Sequence, residues 1–192
     1  MEEEYDYVEL HVSNVRKIES DKRRCVVSLQ RNGDVREFVF FTDEHNAARI
    51  ALRSFPERNP MANVVLWSEF TVNALGTFDI SIRNVTIIRG RDEIFRSVIT
   101  MYNSDTGLEV NVPASLPDGV LLAISSNIPV KMERKLFEDA SSINNDENRI
   151  RVPLNLLPRK VVESRLAKAV EEENYEMASL LRDELIRRGA QE

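Results

Sequence analysis

CVVSLQRNGDVREFVFF, residues 25–41, decides the fold. Two runs rich in β-branched and aromatic residues, 25–30 and 35–41, flank Asn32-Gly33. That pair accepts positive φ at little cost, so the stretch reads as an antiparallel hairpin. Upstream, Val8, Leu10 and Val12 alternate within residues 7–15 and predict a strand that completes a three-stranded unit. Downstream, two helical patterns follow. One runs from about Asp43 to Ser54 with Ala47, Ile50 and Ala51 inward, and one from about Met61 to Leu75 with Val65, Leu66, Phe70 and Ala74 in the stripe. Pro56 and Pro60 punctuate the link between them, and Gly76 ends the second.

The same order then recurs. Residues 77–88, 93–102 and 108–112 read as three strands, with a turn over Asn103 to Gly107. Residues 118–125 and 131–140 read as two helices. The expected fold is α+β: a duplicated βββαα unit with a largely antiparallel sheet, joined at Gly76–Thr77, plus a C-terminal α-helical hairpin. The domain division is 1–140 for the duplicated domain, 141–153 (SSINNDENRIRVP) for a polar linker, and 154–192 for the hairpin.

Composition limits the function classes. The chain has 192 residues, 42% of them hydrophobic, which supports one core and an appendage. A formal net charge of −6 disfavours non-specific wrapping of nucleic acid, which needs clustered cations to displace counterions. The single cysteine, Cys25, excludes an intramolecular disulfide, and its strand-like setting reads as a buried thiol. The segment MEEEYDYVEL lacks the basic and apolar regions of a signal peptide, and no apolar run is long enough to span a bilayer. These features predict a cytoplasmic protein without membrane association.

Local motifs propose little chemistry. There is no C-x-x-C, H-E-x-x-H, G-x-G-x-x-G or Walker loop. His11 alternates with apolar residues and reads as solvent-facing; His45 follows Asp43-Glu44, carboxylates that suit a helix N-terminus. Trp67 and Phe70 read as core rather than as a base-stacking platform. Arg23-Arg24, Arg89/Arg91 and Arg134-Lys135 are scattered and read as solvated surface.

The C-terminal stretch reads as two short helices. Pro158 opens the first, which puts Val162, Leu166, Ala169 and Val170 on one face. Asn174 caps the second, with Ala178, Leu181 and Leu185 in its stripe and Gly189 at its end. Helices of this length are marginal alone, so the stripes need an apolar surface. The run LAKAVEEENYEMASLLRDELIRR resembles the UVR motif, carried by Tyr175-Glu176, Ala178 and Arg182-Asp183. The resemblance implies a protein-binding hairpin, with Leu166, Tyr175, Glu176, Ala178, Leu181, Arg182, Asp183 and Leu185 as its partner-binding residues. Self-association is a further outcome open to such a module.

The duplicated region resembles the bacterial bifunctional nuclease domain. NAARIAL (46–52) is similar to a helix written E-A-x-A-I-A-[IL]. VVLWSEF (64–70) with the following TFDISIRNVTI is similar to R-P-L-T-H-D-L and its strand, and DGVLLAISSNIPV (118–130) to S-D-A-I-A-L-A-L-R-x-x-x-P-I. The resemblance implies DNA and RNA phosphodiester hydrolysis, with Mg²⁺ or Mn²⁺ as cofactor and no metal ligands assigned. It keeps the apolar frame and departs at polar positions: Asn46, Val64-Val65, Ser68, Ser115 and Pro117 replace the family's Glu, Arg-Pro, His, Arg and Ser. Asp118 is unchanged and Glu69 replaces Asp. Two functions of different class follow. One is a weak metal-dependent nuclease using Asp118 and Glu69, aided by Asp43 or Glu44. The other is a catalytically inactive interaction protein.

Overall fold

A computed structural model describes residues 6–18, 21–58, 63–143, 157 and 159–189. The chain divides into two compact units, Met1–Ile143 and Asn144–Glu192. The first contains strands β1 (Tyr7–Ile18), β2 (Asp21–Arg31) and β3 (Arg36–Asp43), then helices α1 (Glu44–Ser54) and α2 (Trp67–Gly76), with a short 3-10 turn at Pro56–Arg58 between them. It continues with β4 (Ile80–Arg89), β5 (Phe95–Asn103), β6 (Glu109–Ser115), α3 (Leu116–Ser125), β7 (Val130–Glu133), α4 (Arg134–Ala140) and β8 (Ser141–Ile143).

Among the described residues, eight strands form one sheet in the order β6-β5-β4-β7-β1-β2-β3-β8, antiparallel except where β7 runs parallel to β4. The hairpin at 25–41 forms as expected. Gly33 takes φ +76, and the Asp34 N–H closes on the Arg31 carbonyl at 3.1 Å. The sheet curls enough to bring Phe38 of β3 against Phe95 of β5, rings 5.0 Å apart, although five places separate the two strands in the sheet. Cys25, Val26, Val27, Ser28 and Leu29 are all buried, so β2 is covered on both faces.

The duplication is written into the registers. In β1–β2, Val12 pairs with Leu29 and Asn14 with Ser28, leaving Ser13 as the extra residue of a bulge. In β4–β5, Ile82 pairs with Met101 and Asn84 with Thr100, leaving Arg83. The matching segments are Val12-Ser13-Asn14-Val15 and Ile82-Arg83-Asn84-Val85. Each half ends its third strand on a helix cap: Asp43 accepts from the Asn46 N–H and Ser115 from the Asp118 N–H. Since β7 is antiparallel to β1 and parallel to β4, β1 and β4 oppose each other, as a two-fold relation requires. The paired helices α1 and α3 contact one another.

Three expectations are corrected. Residues 130–133 form β7 and only Arg134–Ala140 is helical, because Val130 and Met132 alternate into the core between β1 and β4. Tertiary pairing overrides the helix-favouring Lys, Met and Glu there. Helix α2 begins at Trp67 rather than near Met61, which lies outside the described residues; Leu66 is still extended at φ −81, ψ 155. Ser141–Ile143 pair with β3 as strand β8 instead of opening a linker; residues 144–153 lie outside the described residues.

The second unit contains α5 (Arg159–Glu171) and α6 (Tyr175–Gly189), which pack on each other. Asn174 caps α6, its side-chain oxygen accepting the Met177 N–H at 3.1 Å. Pro158 lies outside the described residues.

Candidate functional site

Glu69 sits in the first turn of α2, where its carboxylate reaches back to accept the Leu66 N–H at 2.8 Å. That bond satisfies one of the helix's unpaired N-terminal donors. Arg53, from the last turn of α1, grips the same carboxylate bidentately, Nε to Oε1 at 2.6 Å and Nη2 to Oε2 at 2.7 Å. It also donates to the Val64 carbonyl and so anchors the segment leading into α2. The Arg53 hydrogen bonds hold the Glu69 carboxyl below its ordinary range; burial opposes this, and the Leu66 N–H assists. Arg53, Asn63, Val65, Glu69, Asn73 and Ser125 line an open concavity of about 560 Å³.

Asp118 lies elsewhere. Its neighbour across the cap, Ser115, donates to Oδ2 at 2.5 Å, and the Asp118 N–H returns a bond to the Ser115 hydroxyl at 3.3 Å. The carboxylate is exposed at the first turn of α3. Glu69 instead belongs to the far end of that helix, where Ser125 donates to Ser68 at 2.9 Å and lines the concavity. Seven residues of helix separate the two ends, about 10 Å along the axis. The fold therefore gathers Glu69 with Arg53, and Asp118 with Ser115, at different places.

The expected helpers are occupied in the same way. Asp43 caps α1, accepting the Asn46 backbone N–H at 2.9 Å and the Asn46 side-chain amide at 2.8 Å. The backbone bond is the larger cause of its lowered pKa. Glu44 pairs with Lys17. His11 and His45 are exposed and neither lines the concavity. Cys25 is buried, and burial pushes its thiol pKa up. Arg89 pairs with Glu93 at 3.1 Å and Arg134 with Asp6. Among the described residues, no group of three or more His, Cys, Asp or Glu is placed to hold a metal ion.

Two site features escaped sequence reasoning. Arg53 carried no motif, and only the fold brings it 16 residues forward onto Glu69. Asn46 and Asp118 hold the same place in the two halves, three residues beyond the caps Asp43 and Ser115, but aligning Asn14-Val15 with Asn84-Val85 leaves them two residues out of step, so only the structure shows the match. One expectation is reversed. Trp67 and Phe70 are exposed at 71% and 53%, rings stacked 4.9 Å apart, so they are not core. The apolar stripe read as inward is the outer side of α2, whose inward side is led by buried Ser68.

In the hairpin, Val162, Ala169, Ala178 and Leu181 are buried, and Leu166 and Leu185 are half-buried. Tyr175, Glu176, Arg182 and Asp183 are exposed, the last two forming a 3.8 Å ion pair. No helix among the described residues is long and apolar enough to cross a membrane.

No curated protein matches the chain. The family model of the bifunctional nuclease domain matches residues 29–145, from the end of β2 past β8. That span takes in both carboxylates, the Arg53 clamp and the seam strand β7, and it is more than half of the sequence. The chain belongs to the bifunctional nuclease domain family.

Proposed function

We propose that this chain is an interaction protein built on a nuclease-type domain. Nucleic acid is engaged at the Arg53–Glu69 concavity, and a protein partner at the UVR-like C-terminal hairpin. One observation carries the reading: the Glu69 carboxylate is already neutralised by a bidentate guanidinium. A divalent ion such as Mg²⁺ takes an octahedral set of oxygens around one or two free carboxylates. Here three N–H groups fill Glu69, and Ser115 fills one oxygen of Asp118. These residues do not fit a dedicated Mg²⁺ or Mn²⁺ site. Binding asks less of the same groups. A backbone phosphate competes with Glu69 for the planar fork of Arg53, and the Asn63 and Asn73 amides add donors beside it.

Family membership favours a second reading, weak metal-dependent cleavage using Asp118 and Glu69. Purified protein is assayed on single- and double-stranded DNA and RNA, with and without Mg²⁺ or Mn²⁺. The expected outcome is no metal-stimulated cleavage, with oligonucleotide binding that Arg53→Ala weakens. Cleavage that falls by about 10²-fold in Glu69→Gln or Asp118→Asn establishes the nuclease instead. For the hairpin, Tyr175→Ala with Arg182→Glu leaves the fold intact, because both side chains are exposed, and abolishes partner capture.

A further inference from the structure

Helix α2 carries a second apolar face that is exposed among the described residues. Trp67, Phe70, Ala74 and Phe78 recur at i, i+3, i+7 and i+11. The turn after Gly76 keeps Phe78 in line, its N–H bonding to the Leu75 carbonyl at 3.0 Å. Trp67 and Phe78 are 71% and 70% exposed, and neighbouring Val65 is 70% exposed. Three aromatic rings and a valine exposed to this degree present on the order of 500 Å² of apolar surface. That is the size of the largest apolar patch on a typical monomer, and such patches are often functional. A standard interface buries about 800 Å² on each partner, so this patch supplies more than half of a small one.

Charge and shape choose the occupant. The only charged residue of α2 is Glu69, and Arg53 neutralises it. A nucleic acid needs cations along its track, and the stripe has none. A two-fold contact needs a face that does not repel itself, and a stripe without net charge meets that condition. The stripe is also self-complementary. Two α2 helices packed antiparallel about a point between Val72 and Asn73 set Trp67 of each copy against Phe78 of the other. Phe70 of each copy then lies within one residue's rise, about 1.5 Å, of the small Ala74 of the other. We propose that this stripe is the interface for a second copy of the chain, a two-fold α2–α2 contact that sets the two Arg53–Glu69 concavities beside one another.

The chain's single tryptophan, Trp67, reports on this surface directly. The full-length protein is followed by sedimentation and by Trp emission with iodide quenching, from about 1 to 200 µM. This range suits an interface below standard size. The expected result is a shift from monomer to dimer, with emission moving to the blue and quenching falling in parallel. Trp67→Lys with Phe78→Lys gives a monomer throughout with an unchanged melting curve, since both side chains are exposed. Ala74→Arg, which keeps Trp67, gives a monomer whose emission no longer changes with concentration. A parent protein monomeric at the top of the range overturns the proposal. So does a dimer that survives these substitutions but dissolves with Leu180→Lys and Ile186→Lys in the hairpin. Quenching of Trp67 by a single-stranded oligonucleotide in a protein that stays monomeric overturns it in favour of base stacking.

Discussion

The two halves of the first unit share a plan as far as their first helix and part company after it. Both open with a bulged hairpin in the same register, at Ser13 and at Arg83. Both cap the next helix from the end of the third strand, with Asp43 and with Ser115. The first half then runs out to α2, whose outer side shows Trp67 and Phe70. The second half turns back into the sheet as β7 and buries Phe137 and Ala140 of α4. Backbone pairing tolerates little change, because a one-residue slip reverses every side chain. The connection after the helix is free of that constraint, and the two halves differ there.

The tight packing at Gly119 gives the sharpest test of equivalence. Gly119 and Ala47 hold matching places, four residues beyond their caps. A Cβ on Gly119 would lie 2.1 Å from the Ser97 hydroxyl and 2.3 Å from its Cβ. Gly119→Ala is expected to cost about 3 kcal/mol in urea unfolding, the upper end for overpacking. Adding Ser97→Gly recovers most of it. Ala47→Gly in the first half costs only about 1 kcal/mol, the helix-propensity difference. Equal losses at both sites would mean that the halves pack alike after all.

The Arg53–Glu69 clamp belongs to the first half alone. Arg53→Ala is expected to cost about 1–2 kcal/mol, less than a fully buried pair because both groups keep some contact with water. Glu69 has its carboxyl lowered from an ordinary value of 4.5 in the folded protein. Its contribution is therefore complete above about that pH and is lost as pH falls through the lowered value. Glu69→Gln flattens the acid limb of the stability profile. A limb unchanged by that substitution would assign acid sensitivity to other carboxylates. The smallest effects come from the caps. Asp43→Ala and Ser115→Ala each cost about 1 kcal/mol, as ordinary N-caps do. A cap worth much more than its twin in thermal unfolding would break the symmetry at its plainest point.

Much of this fold could be read from periodicity and turn chemistry. Asn32-Gly33 fixed the first hairpin, and alternation located the long strands. What could not be read was decided by tertiary partners. Val130-Lys131-Met132-Glu133 is too short to show a period and favours helix by composition; two neighbouring strands make it a strand. Trp67 and Phe70 fit a helical stripe, but periodicity gives the spacing of a face and not its direction. Of the candidate site, Glu69 and Asp118 were proposed from the sequence by resemblance to the family. Arg53 was not, since its role depends on α1 ending beside the start of α2.

The seam strand β7 also sets an order of assembly. It pairs Val130 with Leu10 on one side and with Val85 on the other, so the middle of the sheet is contributed near the end of the domain's sequence. On the ribosome both bulged hairpins are complete before these four residues emerge. Until then β1 and β4 each present an unpaired edge, the feature most prone to wrong association. Contacts of such long sequence separation also close slowly. Without β7 the strand order falls into two separate three-stranded sheets, β1–β3 and β4–β6, and β7 makes them one.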